Sequence, residues 1–294
     1  MPCVCIRDEE RLRDQLRTEG FCAYEGKDLL LGEDFEADKQ VLASVFEGGG
    51  SDGPGRSRFY GRYLLGPAWT IDMLDLAVGS HAFLSSDYRQ GADLNPEQGG
   101  ALRSYFHLPR SLWNSRLLKE LILFDLSFVP LAELWPNARR NPLVVGVHLI
   151  RMHAAPGRPA LPTPSVPHQD GEPFTCIHLI ARHGAQGGVS QVFRNTPVDN
   201  VSQRGPLLAE LTLRDMFDTM VVWDKEVFHH VTALEAGPEQ EQAVRDVLII
   251  DFSPLEECRF NARGQIGIAE GSFRAGLRAA PQQSEEARGA SIAA

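Results

Sequence analysis

A chain of 294 residues, 43% hydrophobic and 23% charged, has an ordinary globular composition and is long enough to bury a large core. Its formal net charge of −10 argues against a nucleic-acid partner, which needs a basic surface, and no segment is long and uncharged enough to span a bilayer. The five cysteines, at positions 3, 5, 22, 176 and 258, show no paired C-x-x-C spacing, and the N-terminus holds no apolar run long enough for a signal peptide. Reduced thiols in a cytoplasmic protein are therefore expected.

Residues 8–19 are predicted to form a short amphipathic helix, capped by Asp8, with Leu12 and Leu16 on one face and Gly20 as its stop. Phe21–Tyr24 follows as a first strand. Residues 47–56 are Gly-rich and polar, which suggests a mobile loop, and the aromatic content of 58–65 suggests a strand. The polar stretch 85–100 is expected to be a long connection. Residues 112–131 are apolar at helical spacing and are predicted to form one helix that buttresses a sheet.

After Pro142 the character changes to short strands: 143–152, 174–181, 190–193, Thr219–Trp223, 227–233 and 245–252. A Pro- and Ala-rich loop spans 154–167, Gly187-Gly188 turns the chain, 207–213 is mixed, and Asp224-Lys225-Glu226 makes a turn. Residues 234–243 are expected to be polar loop. Strands so spaced, without helices between them, predict a sandwich or jelly roll. The expected class is α+β with a mainly β core: a cupin-like double-stranded β-helix over 143–260, with a helical and mixed part, 1–142, packed on it. Residues 1–276 are expected to fold as one domain, and the polar stretch 277–294 to be a flexible tail.

His168-Gln169-Asp170 follows the proline-rich loop. On a strand, alternate residues face one side, so His168 and Asp170 would point the same way. A third ligand can come from a separate strand, as His229 or His230. Val227, His229 and Val231 share one face of that strand and Phe228, His230 and Thr232 the other, and periodicity leaves open which face looks inward. One carboxylate and two imidazoles fill three adjoining positions of an octahedral ferrous ion, leaving three for a co-substrate and dioxygen, the pattern of non-haem iron oxygenases. Arg245 heads a later strand, where a guanidinium can grip a carboxylate beside the metal, such as a dicarboxylic keto acid brings. Its bland alternative is an ion pair with Asp246 or Glu241. Arg151 and Arg182 flank the proline-rich loop and are candidates to clasp a substrate carboxylate, against the alternative of solvated arginines. His178 and His183 are expected to make structural hydrogen bonds.

The stretch 168–252 resembles the bacterial iron(II)/2-oxoglutarate dioxygenase family that includes the isoleucine dioxygenases, hydroxylases of free amino acids. The matching pieces are His168-Gln169-Asp170-Gly171, Ile177-His178-Leu179, Arg182-His183, Gly187-Gly188-x-Ser190-Gln191, Asp224, His229-x-Val231-Thr232 and Arg245-Asp246-Val247-Leu248. Upstream, Arg58-x-Tyr60-Gly61-Arg62 and 95–106 also match. The resemblance implies Fe(II), 2-oxoglutarate and O2 as cofactor and co-substrates. It implies His229 rather than His230 as the distal ligand, and Arg245 on the far carboxylate of 2-oxoglutarate. It further implies oxidation of an unactivated C–H bond in a small free or cyclic amino acid, in specialised-metabolite biosynthesis. Hydroxylation is the expected outcome; desaturation or ring closure is the alternative within the same chemistry. A non-catalytic cupin-like module is the rival outside it, and a zinc hydrolase is disfavoured because no general base stands beside the triplet. Two departures fall on the pocket wall: Ser165, Val166 and Pro167 stand where the family has an acidic residue and a glycine, and His230 replaces a small residue.

Overall fold

The computed structural model describes residues 4–66, 70–73, 85–88, 97, 99–135, 142–255, 258–260 and 266–268. Its centre is a ten-stranded sheet, running Phe21–Tyr24, Thr219–Trp223, Phe174–His183, Ala243–Pro254, Leu143–Ala154, Arg56–Leu65, Arg103–His107 and Ser85–Tyr88, with Gly50–Ser51 and Ile71–Met73 paired to Arg56–Leu65. Arg56–Leu65 and Arg103–His107 pair in parallel, while the long central strands pair antiparallel. A second, three-stranded sheet of Arg204–Leu211, Ser190–Asn195 and Val227–Val231 lies over one face of the first. This is the expected jelly roll with helices packed on it.

The strands read as unbroken apolar runs because both faces of the large sheet are buried. Val145, Val147, Leu149, Leu248, Ile250 and Phe252 face the helices, together with Leu117, Leu118 and Leu121. Ile150, Ile177 and Val247 face the smaller sheet and pack with Val192 and Val227. Each such side chain stabilises the fold by roughly 1.5–3 kcal/mol on burial.

The N-terminal helix, Glu9–Glu19, ends at Gly20, whose φ of 80° and N–H bond to the Leu16 carbonyl close it. Asp8 does not cap through its side chain; its own φ is 59°, and its carbonyl accepts from Leu12 N–H. The single helix predicted over 112–131 forms as three pieces, Arg110–Trp113, Arg116–Leu126 and Leu131–Leu134. Ser115 interrupts it: its Oγ accepts the Leu118 N–H at 3.2 Å and starts a new helix, while Pro130 precedes the last turn. Residues 47–56 carry a short hairpin rather than a free loop, with Gly50–Ser51 paired to Arg58 and Ser57 and Asp52 buried. The mixed stretch 207–213 belongs to the Arg204–Leu211 strand as far as Leu211, and Leu234–Ala236 is a short strand inside the expected polar loop. Cys5, Cys22 and Cys176 are free thiols. The tail 277–294, most of 85–100 and Cys3 lie outside the described residues. Among the described residues no helix is long and apolar enough to cross a membrane.

Candidate active site

The second sheet brings the two halves of the site together through backbone bonding. His168 and His229 exchange both of their backbone N–H···O=C bonds, each 3.0 Å, so the triplet is docked edge-on against Val227–Val231. Gln169 and Asp170 then leave the strand geometry, which corrects the expectation of a fully strand-borne triplet. Gly171, at φ 91°, makes the turn that carries the chain back into the large sheet.

His168, Asp170 and His229 converge: their candidate donor atoms all lie within 4.8 Å of one another. His168 Nε2 stands 3.3 Å from one Asp170 oxygen, and His229 Nε2 stands 3.2 Å from the other. The parity left open in the sequence is resolved here, since His229 and Val231 both line the cavity. His168 Nδ1 lies 2.9 Å from the Val166 carbonyl, which only accepts, so Nδ1 donates there and Nε2 is the nitrogen turned to the carboxylate. Imidazole nitrogens and a carboxylate aimed at one another are a donor set that suits a cation between them. This donor set therefore fits a divalent iron ion, by the chemistry of its ligands and by its open side toward the cavity.

Electrostatics point the same way. Burial opposes the Asp170 anion, but the His229 and His168 imidazoles outweigh it and hold the carboxyl well below its usual range. Burial likewise opposes imidazolium at His229, and the Asp170 charge reverses that, raising its pKa. Asp224, in the turn before His229, accepts backbone N–H bonds from Asp170 and Gly171, each 2.8 Å. Gln169 Nε2 donates to the Asp224 and Val227 carbonyls. Burial and the Asp170 charge push the Asp224 carboxyl up to about 7.

Arg245 is 3% exposed, and its Nε and Nη2 make no hydrogen bond. It lines the same cavity. Burial, then repulsion from Arg182 and Arg56, lowers its pKa to about 10. A buried guanidinium with idle donors is a socket for an anion brought by a ligand. Gly188 makes room for it: at φ +60°, a Cβ there would stand 3.1 Å from Arg245 Cδ and 3.1 Å from Arg182 Nη1.

Arg151 and Arg182 are not brought to the cavity. Arg151 points to the opposite face of its strand, where Nε and Nη2 grip Asp246 at 2.8 Å each. Asp246 is thus taken by Arg151 and leaves Arg245 without that partner. Arg182 donates to the Ala185 and Gly187 carbonyls and holds the turn beside Arg245. His178 is structural, bonded to Asp125 and Thr219 at 2.8 Å each. The basic residues on the cavity wall are instead Arg56, Arg58 and Arg103. Arg56 and Arg58 share the buried Asp52, and the Tyr105 hydroxyl donates to the same carboxylate. Arg58 Nη1 donates to His148 Nδ1 at 3.4 Å, which leaves the His148 proton on Nε2, facing Asp251 at 3.2 Å. The signal in the sequence was the alternation: Arg56-x-Arg58 sets two arginines on one inward face, and His148-x-Ile150 and Val247-x-Ile249-x-Asp251 each set polar and apolar residues on one.

The comparisons with known proteins agree with this geometry. Residues 52–251 match the family model described as 2OG-Fe dioxygenase. The chain is 28% identical over 202 residues to an L-isoleucine-4-hydroxylase of Bacillus thuringiensis, covering 68% of this chain and 76% of the relative. It is 30% identical over 172 residues to a 3(1)-hydroxy-L-isoleucine 4-dioxygenase of Pantoea ananatis, covering 58% of this chain and 65% of the relative. Among solved structures, IDO from Bacillus thuringiensis superposes with a TM-score of 0.64 at 21% identity, covering 85% of this chain and 96% of that one. A bsmA homolog from Methylobium petroleophilum superposes with a TM-score of 0.62 at 20% identity, covering 90% and 95%.

Proposed function

The chain belongs to the 2OG-Fe dioxygenase family, and from that premise we propose that it oxidises a C–H bond of a small free amino acid, with hydroxylation as the outcome. The observation that carries the proposal is the pairing of the open His168–Asp170–His229 cluster with the idle, buried Arg245 on one cavity. His168, Asp170 and His229 hold the iron, and Arg245 takes the far carboxylate of 2-oxoglutarate. When bound, iron and 2-oxoglutarate supply the oxidising chemistry: one oxygen atom of O2 goes to the substrate, the other to succinate, and carbon dioxide is lost. The protein's part is placement and shielding.

Ile150, Ile177, Val231, Val247 and Ile249 form the apolar side of the cavity, which suits an aliphatic side chain and keeps water from the reacting carbon. Arg56 and Arg58 set two guanidinium groups against the single Asp52 carboxylate on this wall, and Arg58 offers a site for the substrate carboxylate. In this proposal those residues replace Arg151 and Arg182. The relatives' names make L-isoleucine the first compound to try. The test is incubation with Fe(II), 2-oxoglutarate and each of the standard amino acids, read by product mass. A gain of one oxygen atom with stoichiometric succinate supports hydroxylation; a loss of two hydrogens shifts the outcome to desaturation or ring closure; no amino-acid-dependent succinate rejects the proposal.

A further inference from the structure

Two buried acceptors on the cavity wall have no partner. Glu172 is 2% exposed; its Oε1 accepts the Tyr88 hydroxyl at 3.0 Å, and its Oε2 makes no hydrogen bond. Thr175, also 2% exposed, has an unpartnered Oγ1. Thr175 lies directly across from Asp251 in the register of neighbouring strands, and all three side chains line the cavity beside Asp170. Asp251 holds its place because its other neighbour in the sheet is Gly146, where any Cβ would overlap the Asp251 carboxylate. A cation with several N–H donors is what this corner lacks.

We propose that Glu172, Thr175 and Asp251 form the subsite for the ammonium group of the substrate, and that the enzyme thereby selects amino acids over the corresponding 2-hydroxy acids. The inference rests on the amino-acid reading above and deepens it. A primary ammonium carries three N–H donors and a positive charge, matching two carboxylates and a hydroxyl. A 2-hydroxy acid brings one donor and no charge, so it leaves buried acceptors unpaired. Sites built to bond a polar group reject the analogue that lacks it far more strongly than apolar pockets reject a missing methylene.

The test assays wild type, Glu172→Gln and Thr175→Val with Fe(II), 2-oxoglutarate and three amino acids: L-isoleucine, L-leucine and L-valine. Each is compared with its 2-hydroxy acid, reading succinate and product mass. Wild type is expected to favour the amino acid by about 100-fold or more in kcat/KM. In Glu172→Gln that preference falls at least about tenfold, chiefly through KM for the amino acid. In the isosteric Thr175→Val it falls by about three- to tenfold, which keeps the test decisive if the Glu172 variant does not fold. A preference unchanged in both variants overturns the ammonium subsite and leaves amino-acid oxidation standing. Wild-type turnover of the hydroxy acids at the rate of the amino acids also overturns the subsite. Where another standard amino acid is the one oxidised, the same comparison is made with it; oxidation of none of the standard amino acids overturns the amino-acid reading, and the subsite with it.

Discussion

Asp224 holds the backbone of Asp170: one carboxylate oxygen accepts the Asp170 N–H at 2.8 Å, while the other accepts from Gly171 at the same distance. The pair ties the turn before His229 to the residue proposed as the carboxylate ligand of the iron. An amide at 224 has one acceptor oxygen and no charge, so Asp224→Asn frees one of the two N–H groups and loosens the Asp170 loop. Fe(II) affinity, measured by anaerobic titration, is expected to fall about 10–100-fold in this variant. Affinity within about twofold of wild type would show that Asp224 does not position the ligand.

Arg245 is proposed to bind 2-oxoglutarate and not the metal, so its loss separates the two. Arg245→Gln is expected to raise KM for 2-oxoglutarate about 10–100-fold, the value of a charge-assisted pair, with Fe(II) affinity little changed. Arg245→Lys recovers part of the loss but not the bidentate geometry. Steady-state kinetics at varied 2-oxoglutarate check both.

Arg151 is expected to matter for folding alone. Asp246 is buried, and removal of its guanidinium partner leaves that carboxylate uncompensated. Arg151→Ala should cost about 1–3 kcal/mol in urea unfolding, with KM for the amino acid unchanged. A KM effect without loss of stability would return Arg151 to the substrate site.

His148 gives the fold a pH dependence of known sign. Burial lowers its pKa below the ordinary 6.5, and Arg58 lowers it further, against the pull of Asp251. As pH falls through 6.5 the unfolded chain takes a proton that the folded chain does not, so stability is full above that value and declines below it. Between about pH 7.5 and 5.5, wild-type apoprotein is expected to lose about 1 kcal/mol more than His148→Gln. Denaturant melts at the two pH values measure the difference.

Much of this architecture was legible in the chain. The strand-turn rhythm after Pro142 carried the jelly roll, and the H-x-D triplet with a later strand histidine carried the cluster, because ligand chemistry demands those residue types. The choice of inward face at His229 was not legible from alternation, since both faces of that strand carry a histidine; the backbone pairing with His168 decides it. The arginines misled for a related reason. Arg151 and Arg182 flank the loop in sequence, but Arg151 sits one residue out of phase with the cavity-facing Ile150 and Met152. Arg56 and Arg58 lie far upstream, on a strand noted for its aromatic residues, and only the pairing of Arg56–Leu65 with Leu143–Ala154 brings them to the site. The broken helix shows the same limit, because a continuous apolar stripe hid the Ser115 cap.

The most direct test of the account is amino-acid-dependent succinate formation by wild type, His168→Ala, Asp170→Ala, His229→Ala and His230→Ala, with Fe(II) and 2-oxoglutarate supplied. The account predicts turnover in wild type and His230→Ala, and less than about 1% of it in the other three. Turnover that survives in His229→Ala while His230→Ala is dead would contradict the proposed iron site.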